Sequence, residues 1–349
     1  MLAKTEAHFS SLKKPKNIDA SHASKICDDV LILNESFQLK NGGKIQKLRI
    51  AYRVIGDVKT QPSLFILGGI SASRHIFCAS NEQVSGWWQS VFQHWLDSTE
   101  SLFPYAIISM DFIGGIGDST SAEELFELEN FHCIDTEDQA RAVKKLLETL
   151  NISTLAGFIG ASYGGMIAGK FANLYPKALQ KLILINACHR IPVITTAWRC
   201  LQRQIITFAK SHNDEKQGLV LARALAMATY RSPEEFEARF AFHDQDGDFP
   251  IESYLLHQGH KTCEVFTCES YLCLSESIDR HKFSPEVINV PCAIFSTRND
   301  QIVPQSFIEE LTASIGCLAE DYRIHSEFGH DAFLKEIDKV QNFLESYLF

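Results

Sequence analysis

The chain lacks several features that would decide its class at once. No apolar run reaches the length of a membrane span, and the N-terminus lacks the apolar core of a secretion signal. A membrane role is therefore not expected, and the expected location is the cytoplasm. Basic residues are in deficit: 33 Lys and Arg against 43 Asp and Glu give a net charge of −10. That balance argues against binding nucleic acid or an anionic lipid surface. No G-x-G-x-x-G opens a helix with an acidic residue about 20 positions on, which argues against a dinucleotide-dependent dehydrogenase. Internal repeats and low-complexity tracts are absent. The ten cysteines are scattered and include no C-x-x-C. In a long chain without a secretion signal they read as reduced, mostly buried thiols. His257, His260, Cys263, Cys268 and Cys273 cluster in sequence, but their spacing matches no common zinc pattern, and core thiols on helices are the preferred reading.

What remains is an ordinary globular composition, 45% hydrophobic and 22% charged over 349 residues. Short apolar runs punctuate it: Leu64 to Leu67, Tyr105 to Met110, Leu155 to Ile159, Lys181 to Ala187 and Cys292 to Thr297. Val30 to Ile55 predicts two strands joined at Asn41-Gly42-Gly43, and Asp321 to Glu327 a last strand before a helix from Asp331 to Tyr347. Thr136 with Gln139 reads as a capping box opening a helix whose apolar stripe is Ala140, Val143, Leu146, Leu147 and Leu150. Apolar strands alternating with helices imply an α/β fold: a mainly parallel sheet covered on both faces. The rhythm lapses after Ala187, where helical patterns follow one another: Trp198 to Ala209, Gly218 to Tyr230, Pro233 to Phe242, Ile251 to His257 and Val265 to Ile278. The expected organisation is a polar extension over 1–28, a core over 29–187 and 291–349, and a helical lid inserted over 188–290.

The stretch most suggestive of chemistry is Gly160-Ala161-Ser162-Tyr163-Gly164-Gly165-Met166, set between a predicted strand and a predicted helix. Gly-x-Ser-x-Gly in that position predicts a sharp turn presenting Ser162 as a nucleophile. A serine hydroxyl needs a base, and the base needs a carboxylate to hold its tautomer. Asp300 follows the strand at Cys292 to Thr297, and His330 sits in a glycine-preceded loop. The order Ser, Asp, His is that of the α/β-hydrolase fold. Asp300 also reads as a plain turn residue and His330 as a helix-start residue. His189 and His325 are the rival bases. The N–H of Tyr163 and, within a residue, that of Ile70 in Gly68-Gly69-Ile70-Ser71 are the expected oxyanion donors.

Longer stretches then become recognisable in order. They are Leu67-Gly68-Gly69-Ile70-Ser71-Ala72 with Arg74-His75, Ser85-Gly86-Trp87-Trp88, Asp111 to Ser119, and the elbow itself. Gln202-Arg203-Gln204, Gly218-Leu219 with Ala222-Arg223, Glu252 to Leu255, Glu269 to Leu272 and Gly329 to Leu334 follow. From about residue 45 to the C-terminus the chain resembles the homoserine O-acyltransferases of the α/β-hydrolase type, enzymes of methionine biosynthesis. The resemblance implies ping-pong transfer of an acyl group from acyl-CoA, a co-substrate rather than a bound cofactor, through Ser162 to homoserine, with serine as the alternative acceptor. It also implies Arg223 on the substrate carboxylate, Asp331 on the amine, Arg203 along the tunnel, and a homodimer contacting through lid helices. An arginine on a lid helix also reads as an ordinary ion-pairing residue. Ala161, Tyr163 and the Leu-Gly-Gly-Ile-Ser loop depart from the usual acetyl-transferring pattern and look closer to a succinyl-transferring branch. Both departures are expected beside the acyl group, and the donor stays open between the two. An esterase or thioesterase using water is the alternative, and a non-catalytic binding protein a more distant one.

Overall fold

In the computed structural model, which describes residues 26–78, 86–97, 104–241 and 249–349, the apolar runs form the centre of one eight-stranded sheet. Its strands are β1 (Ile26–Ile32), β4 (Arg49–Ile55), β5 (Ser63–Leu67), β6 (Ala106–Met110), β7 (Gly157–Ala161), β8 (Leu182–Ile185), β9 (Cys292–Thr297) and β10 (Leu318–Ile324). β2 (Phe37–Gln38) and β3 (Lys44–Ile45) make a separate small hairpin. The spatial order is β1-β4-β6-β5-β7-β8-β9-β10. Neighbours from β6 through β5 to β10 run parallel, while β1 and β4 form an antiparallel edge.

The central strands are buried at every position and mostly apolar because both faces are covered, and successive side chains face opposite ways. In β5, Phe65 and Leu67 enter one core cluster with Phe158, Leu182 and Leu184, whereas Leu64 and Ile66 enter the other with Ile107, Ile159 and Ile183. The first face is covered by α3 (Thr136–Thr149) and α4 (Tyr163–Leu174). The second is covered by α1 (Gln89–Asp97) and α12 (Ile337–Leu348). Smaller elements complete the sheet region: α2 (Ala122–Phe126), α10 (Gln305–Ser314) and α11 (Ala332–Lys335). Between β8 and β9 stand α5 (Val193–Ser211), α6 (Glu215–Tyr230), α7 (Pro233–Phe240), α8 (Pro250–Thr262) and α9 (Cys268–Asp279).

Several local expectations shift. Four strands, not two, occupy the region up to Ile55. The turn at Asn41-Gly42-Gly43 closes only the β2–β3 hairpin, with both glycines at positive φ. The main pairing instead runs from Ile26 opposite Ile55 to Ile32 opposite Arg49. The α3 capping box is Asp135 with Asp138, one residue before the expected pair. Gln139 instead ties down the chain after β6, donating to Ile113 O at 2.8 Å and accepting from Ile113 N at 3.1 Å. The expected final helix is broken at Glu336, whose ψ of 59° is not helical. β10 ends at Ile324, three residues short of the expected Glu327, because the chain turns there toward Gly329 at φ 54°. Residues 1–25, most of the expected extension, lie outside the described residues, as do Ser85 and Phe242.

The arrangement puts four loops at the carboxyl ends of parallel strands, where ligands bind in open sheets of this kind. They follow β5 (Gly68 to Ser71), β7 (Ser162), β9 (Asp300) and β10 (His330).

Candidate active site

Ser162 holds φ 52° and ψ −117°, a conformation a non-glycine residue adopts only under constraint. The constraint comes from close packing at the turn. A Cβ on Gly160 would stand 2.3 Å from Gly164 O, and one on Gly164 would stand 2.3 Å from Leu67 O. Only glycine lets β7 and α4 meet this tightly, so the small residues are explained by steric contact. Gly164 N–H donates to Gly68 O at 2.8 Å, fastening the elbow to the loop after β5.

Ser162 Oγ lies 2.8 Å from His330 Nε2, and His330 Nδ1 lies 2.7 Å from Asp300 Oδ2. Asp300 Oδ1 accepts from the N–H groups of Ile302 (2.7 Å) and Val303 (3.0 Å), which fixes the carboxylate's rotation. With the Nδ1 proton held by Asp300, Nε2 faces the serine as an acceptor. Asn186, at φ 44°, braces the histidine from beneath: its Nδ2 donates to His330 O at 3.0 Å and lies 3.2 Å from Thr297 Oγ1. The sequence offered only a weak signal for Asn186, an asparagine directly after an apolar strand.

Burial opposes a charged His330, but the neighbouring Asp300 charge and hydrogen bond, joined by Asp331, outweigh it and raise the pKa above 6.5. Catalysis needs the neutral imidazole, so activity falls as pH drops through this raised value. The acidic limb of the kcat/KM profile is therefore expected above pH 6.5, the ordinary histidine value. Asp331→Asn removes one raising charge and is expected to move that limb to lower pH, as a pH–rate profile would show. An unmoved limb contradicts the assignment.

The serine opens into a cavity of about 130 Å³ lined by Gly69, Ile70, Trp87, Arg199, Arg223 and Asp331, among others. Gly69 stands against Ser162: a Cβ there would lie 3.9 Å from the serine Cβ. Tyr163 begins α4, so its N–H has no carbonyl one turn back within the helix. The Tyr163 side chain points elsewhere. It is fully buried, meets Phe112 edge-on, and places its hydroxyl 2.7 Å from Ser277 Oγ. Ala161 packs in the core on the other face. Neither side chain lines the cavity, so the expectation that these two departures lie beside the acyl group fails for their side chains. The Gly69-Ile70-Ser71 part of the other departure does line it.

Arg223 stacks over Tyr230 at 5.0 Å and reaches the cavity; among the described residues no carboxylate lies within ion-pair distance of it. Asp331 Oδ2 lies 3.3 Å from Arg231 Nε, without the alignment of a hydrogen bond, and Arg231 also pairs with Glu235 at 3.2 Å. Arg203 is not brought into the cavity. It donates to Asp279 Oδ2 at 2.6 Å and to Ser275 Oγ at 2.9 Å, and Arg199, one turn earlier on α5, lines the wall instead. No motif in the sequence marks Arg199, which lies in the same predicted helix as Arg203. His189 pairs with Glu310 at 3.1 Å, His325 is exposed, and neither lines the cavity.

A second network missed in the sequence secures the loop after β5. Arg74 pairs with the fully buried Asp111, with Asp118 at 2.8 Å and with Asp28 at 3.1 Å. Asp111 Oδ1 also accepts the Arg74 N–H at 2.7 Å. Gly117 is required beside it, since a Cβ there would come within 2.1 Å of Asp111 Oδ2. All ten cysteines carry free thiols, and Cys263 and Cys268 point theirs at the carbonyls of Lys216 and Glu215. Among the described residues no group of His, Cys, Asp or Glu is arranged to hold a metal ion.

A strained serine at a strand-to-helix turn, with acid and base on later strand ends, defines the α/β-hydrolase class. The family model described as "alpha/beta hydrolase fold" matches residues 62–337, and the chain belongs to that fold family. It is 33% identical over 324 residues to a homoserine O-succinyltransferase of Xanthomonas campestris, covering 91% of this chain and 83% of the relative. It is 28% identical to a homoserine O-acetyltransferase of Thermus thermophilus, covering 90% and 89%. A homoserine O-acetyltransferase structure from Bacillus anthracis superimposes with a TM-score of 0.82 at 18% identity, covering 93% of this chain and 97% of the other. Within the α/β hydrolases, the chain is a member of the homoserine O-acyltransferase family.

Proposed function

We propose that this enzyme transfers a short acyl group, acetyl or succinyl, from acyl-CoA through Ser162 to the hydroxyl of L-homoserine, a step of methionine biosynthesis in the cytoplasm. The observation that carries this reading is the joint placement of Arg223 and Asp331 in the cavity that holds Ser162 and His330. A guanidinium without a carboxylate partner suits an amino acid's carboxylate, and a nearby carboxylate suits its ammonium.

In the first half-reaction Ser162 Oγ bonds to the thioester carbonyl carbon while its proton passes to His330 Nε2. The N–H groups of Tyr163 and Ile70 hold the developing oxyanion. The C–S bond then breaks, and His330 returns the proton to the departing thiolate. In the second, His330 takes the homoserine hydroxyl proton as that oxygen bonds to the carbonyl carbon. The Ser162 Oγ–C bond breaks, and Oγ recovers the proton. Asp300 keeps the imidazole oriented throughout.

Helices α5 to α9 act as the lid in this reading, inserted in a core that supplies the triad. Lid and sheet together keep water from the acyl-serine, which separates a transferase from a hydrolase sharing the same triad. The chain pairs as a homodimer through the lid. Ile194, Leu201 and Phe208 on α5 are 52%, 56% and 67% exposed at seven-residue spacing, an apolar stripe suited to a partner's lid.

Purified enzyme given acetyl-CoA or succinyl-CoA is expected to release CoA far faster with homoserine than without, and to give parallel double-reciprocal lines. Release at the water rate with either donor would instead favour an esterase or thioesterase. Arg223→Met is expected to raise KM for homoserine by about 100-fold, the scale of losing a charge-assisted pair, with little change in acyl-enzyme formation. A rise confined to the acyl donor would overturn this role for Arg223.

A further inference from the structure

The cavity continues between α5 and α9 into a narrow recess of about 10 Å³, sharing Ile70, Thr195, Arg199 and Tyr230 with the main chamber. What faces this recess is unusual in one respect: its unengaged polar groups are donors. The Arg199 guanidinium, only 10% exposed, gives Nε to Asp279 at 2.7 Å and Nη2 to Thr195 Oγ1 at 3.0 Å. Its Nη1 makes no hydrogen bond among the described residues and is not sealed from the cavity. Gln202 accepts the Tyr271 hydroxyl on Oε1 at 2.9 Å, which leaves its Nε2 hydrogens unengaged. Ser275 Oγ accepts from Arg203 at 2.9 Å, which leaves its own hydrogen to donate.

The charge count points the same way. Arg199 and Arg203 share a single carboxylate, Asp279, itself 9% exposed, so the three groups carry one uncompensated positive charge. Among the described residues Arg223, across the same cavity, has no carboxylate partner. Buried surplus charge is costly unless a counter-charge arrives. An amino-acid acceptor brings one carboxylate, and the proposed function assigns that to Arg223. A second anion would balance Arg199 and Arg203.

We infer that the mouth of this recess, where Arg199 also lines the main chamber, binds the distal carboxylate of a dicarboxylic acyl group, so that the preferred donor is a succinyl-type CoA thioester rather than acetyl-CoA. Arg199 is the anchor; Gln202 and Ser275 donate beside it, and Arg203 fixes Asp279 and Ser275 from behind. The reacting bonds are unchanged: the thioester carbon is attacked by Ser162 Oγ and CoA leaves, while the distal carboxylate stays ionised. This inference rests on the proposed acyl-CoA chemistry, and its test separates the two.

Acyl-enzyme formation is measured with succinyl-CoA, with butyryl-CoA as its near-isosteric uncharged counterpart, and with acetyl-CoA. The unaltered enzyme is expected to favour succinyl- over butyryl-CoA by about 100-fold in kcat/KM, the discrimination available to a buried charge-assisted pair. In Arg199→Met that preference is expected to collapse, with KM for succinyl-CoA rising far more than KM for butyryl-CoA; Arg199→Lys should restore part of it. Equal rates for succinyl- and butyryl-CoA in the unaltered enzyme would overturn the inference without any variant having to fold. So would an equal loss on charged and uncharged donors in Arg199→Met. No acyl-enzyme from any thioester would instead overturn the acyl-CoA reading beneath it.

Discussion

Ser162→Ala is expected to lower acyl transfer by at least about 10⁴-fold and to abolish covalent labelling by acyl-CoA. The size follows from the mechanism: without Oγ there is no acyl-enzyme, and the acceptor would have to attack the thioester directly. Stability should barely suffer. Ser162 already holds a strained backbone at φ 52°, and its hydroxyl makes no capping bond to α4. Alanine keeps the turn and removes only the Oγ contact with His330 at 2.8 Å. Thermal unfolding within about 1 kcal/mol of the unaltered protein, together with lost activity, would separate chemistry from folding. Labelling that persisted would place the nucleophile elsewhere.

Asp300→Asn is expected to cost about 10⁴-fold in kcat. An asparagine amide turned to keep the Ile302 and Val303 bonds on its oxygen presents NH₂ to His330 Nδ1. The histidine then carries its proton on Nε2, facing Ser162, and can no longer accept the serine proton. Binding of donor and acceptor should change little, because Asp300 is buried and does not line the cavity. A loss below about tenfold would mean that another group orients the imidazole, contrary to this tautomer argument.

The sheet and the triad were readable in the sequence for related reasons. Strands buried on both faces favour apolar residues on both, so Leu64 to Leu67 in β5, β8, and Cys292 to Phe295 in β9 stand out as apolar runs. Ser162 was marked by glycines that the tight elbow requires, and Asp300 and His330 by their places after predicted strands. The less legible parts depend on contacts between distant segments. Nothing local distinguishes Arg199, which faces the cavity, from Arg203, which is bound to Asp279 on α9. The direction of the Tyr163 side chain was likewise set by Phe112 and Ser277, far off in sequence. The Arg74–Asp111–Asp28 cluster joins segments up to 83 residues apart (111 − 28), and only the folded chain brings them together. The capping box moved by one residue because Thr136 and Gln139 are engaged with His281 and Ile113 instead.

The central claim, a covalent relay through Ser162 to an amino-acid hydroxyl, is tested most directly by intact-protein mass spectrometry. The enzyme is mixed with succinyl-CoA or acetyl-CoA without acceptor, and homoserine is then added. The account predicts one acyl adduct per chain, located on Ser162, stable in buffer and discharged rapidly by homoserine to yield the acylated amino acid. An adduct on another residue, or a Ser162 adduct that homoserine discharges no faster than water does, would contradict it.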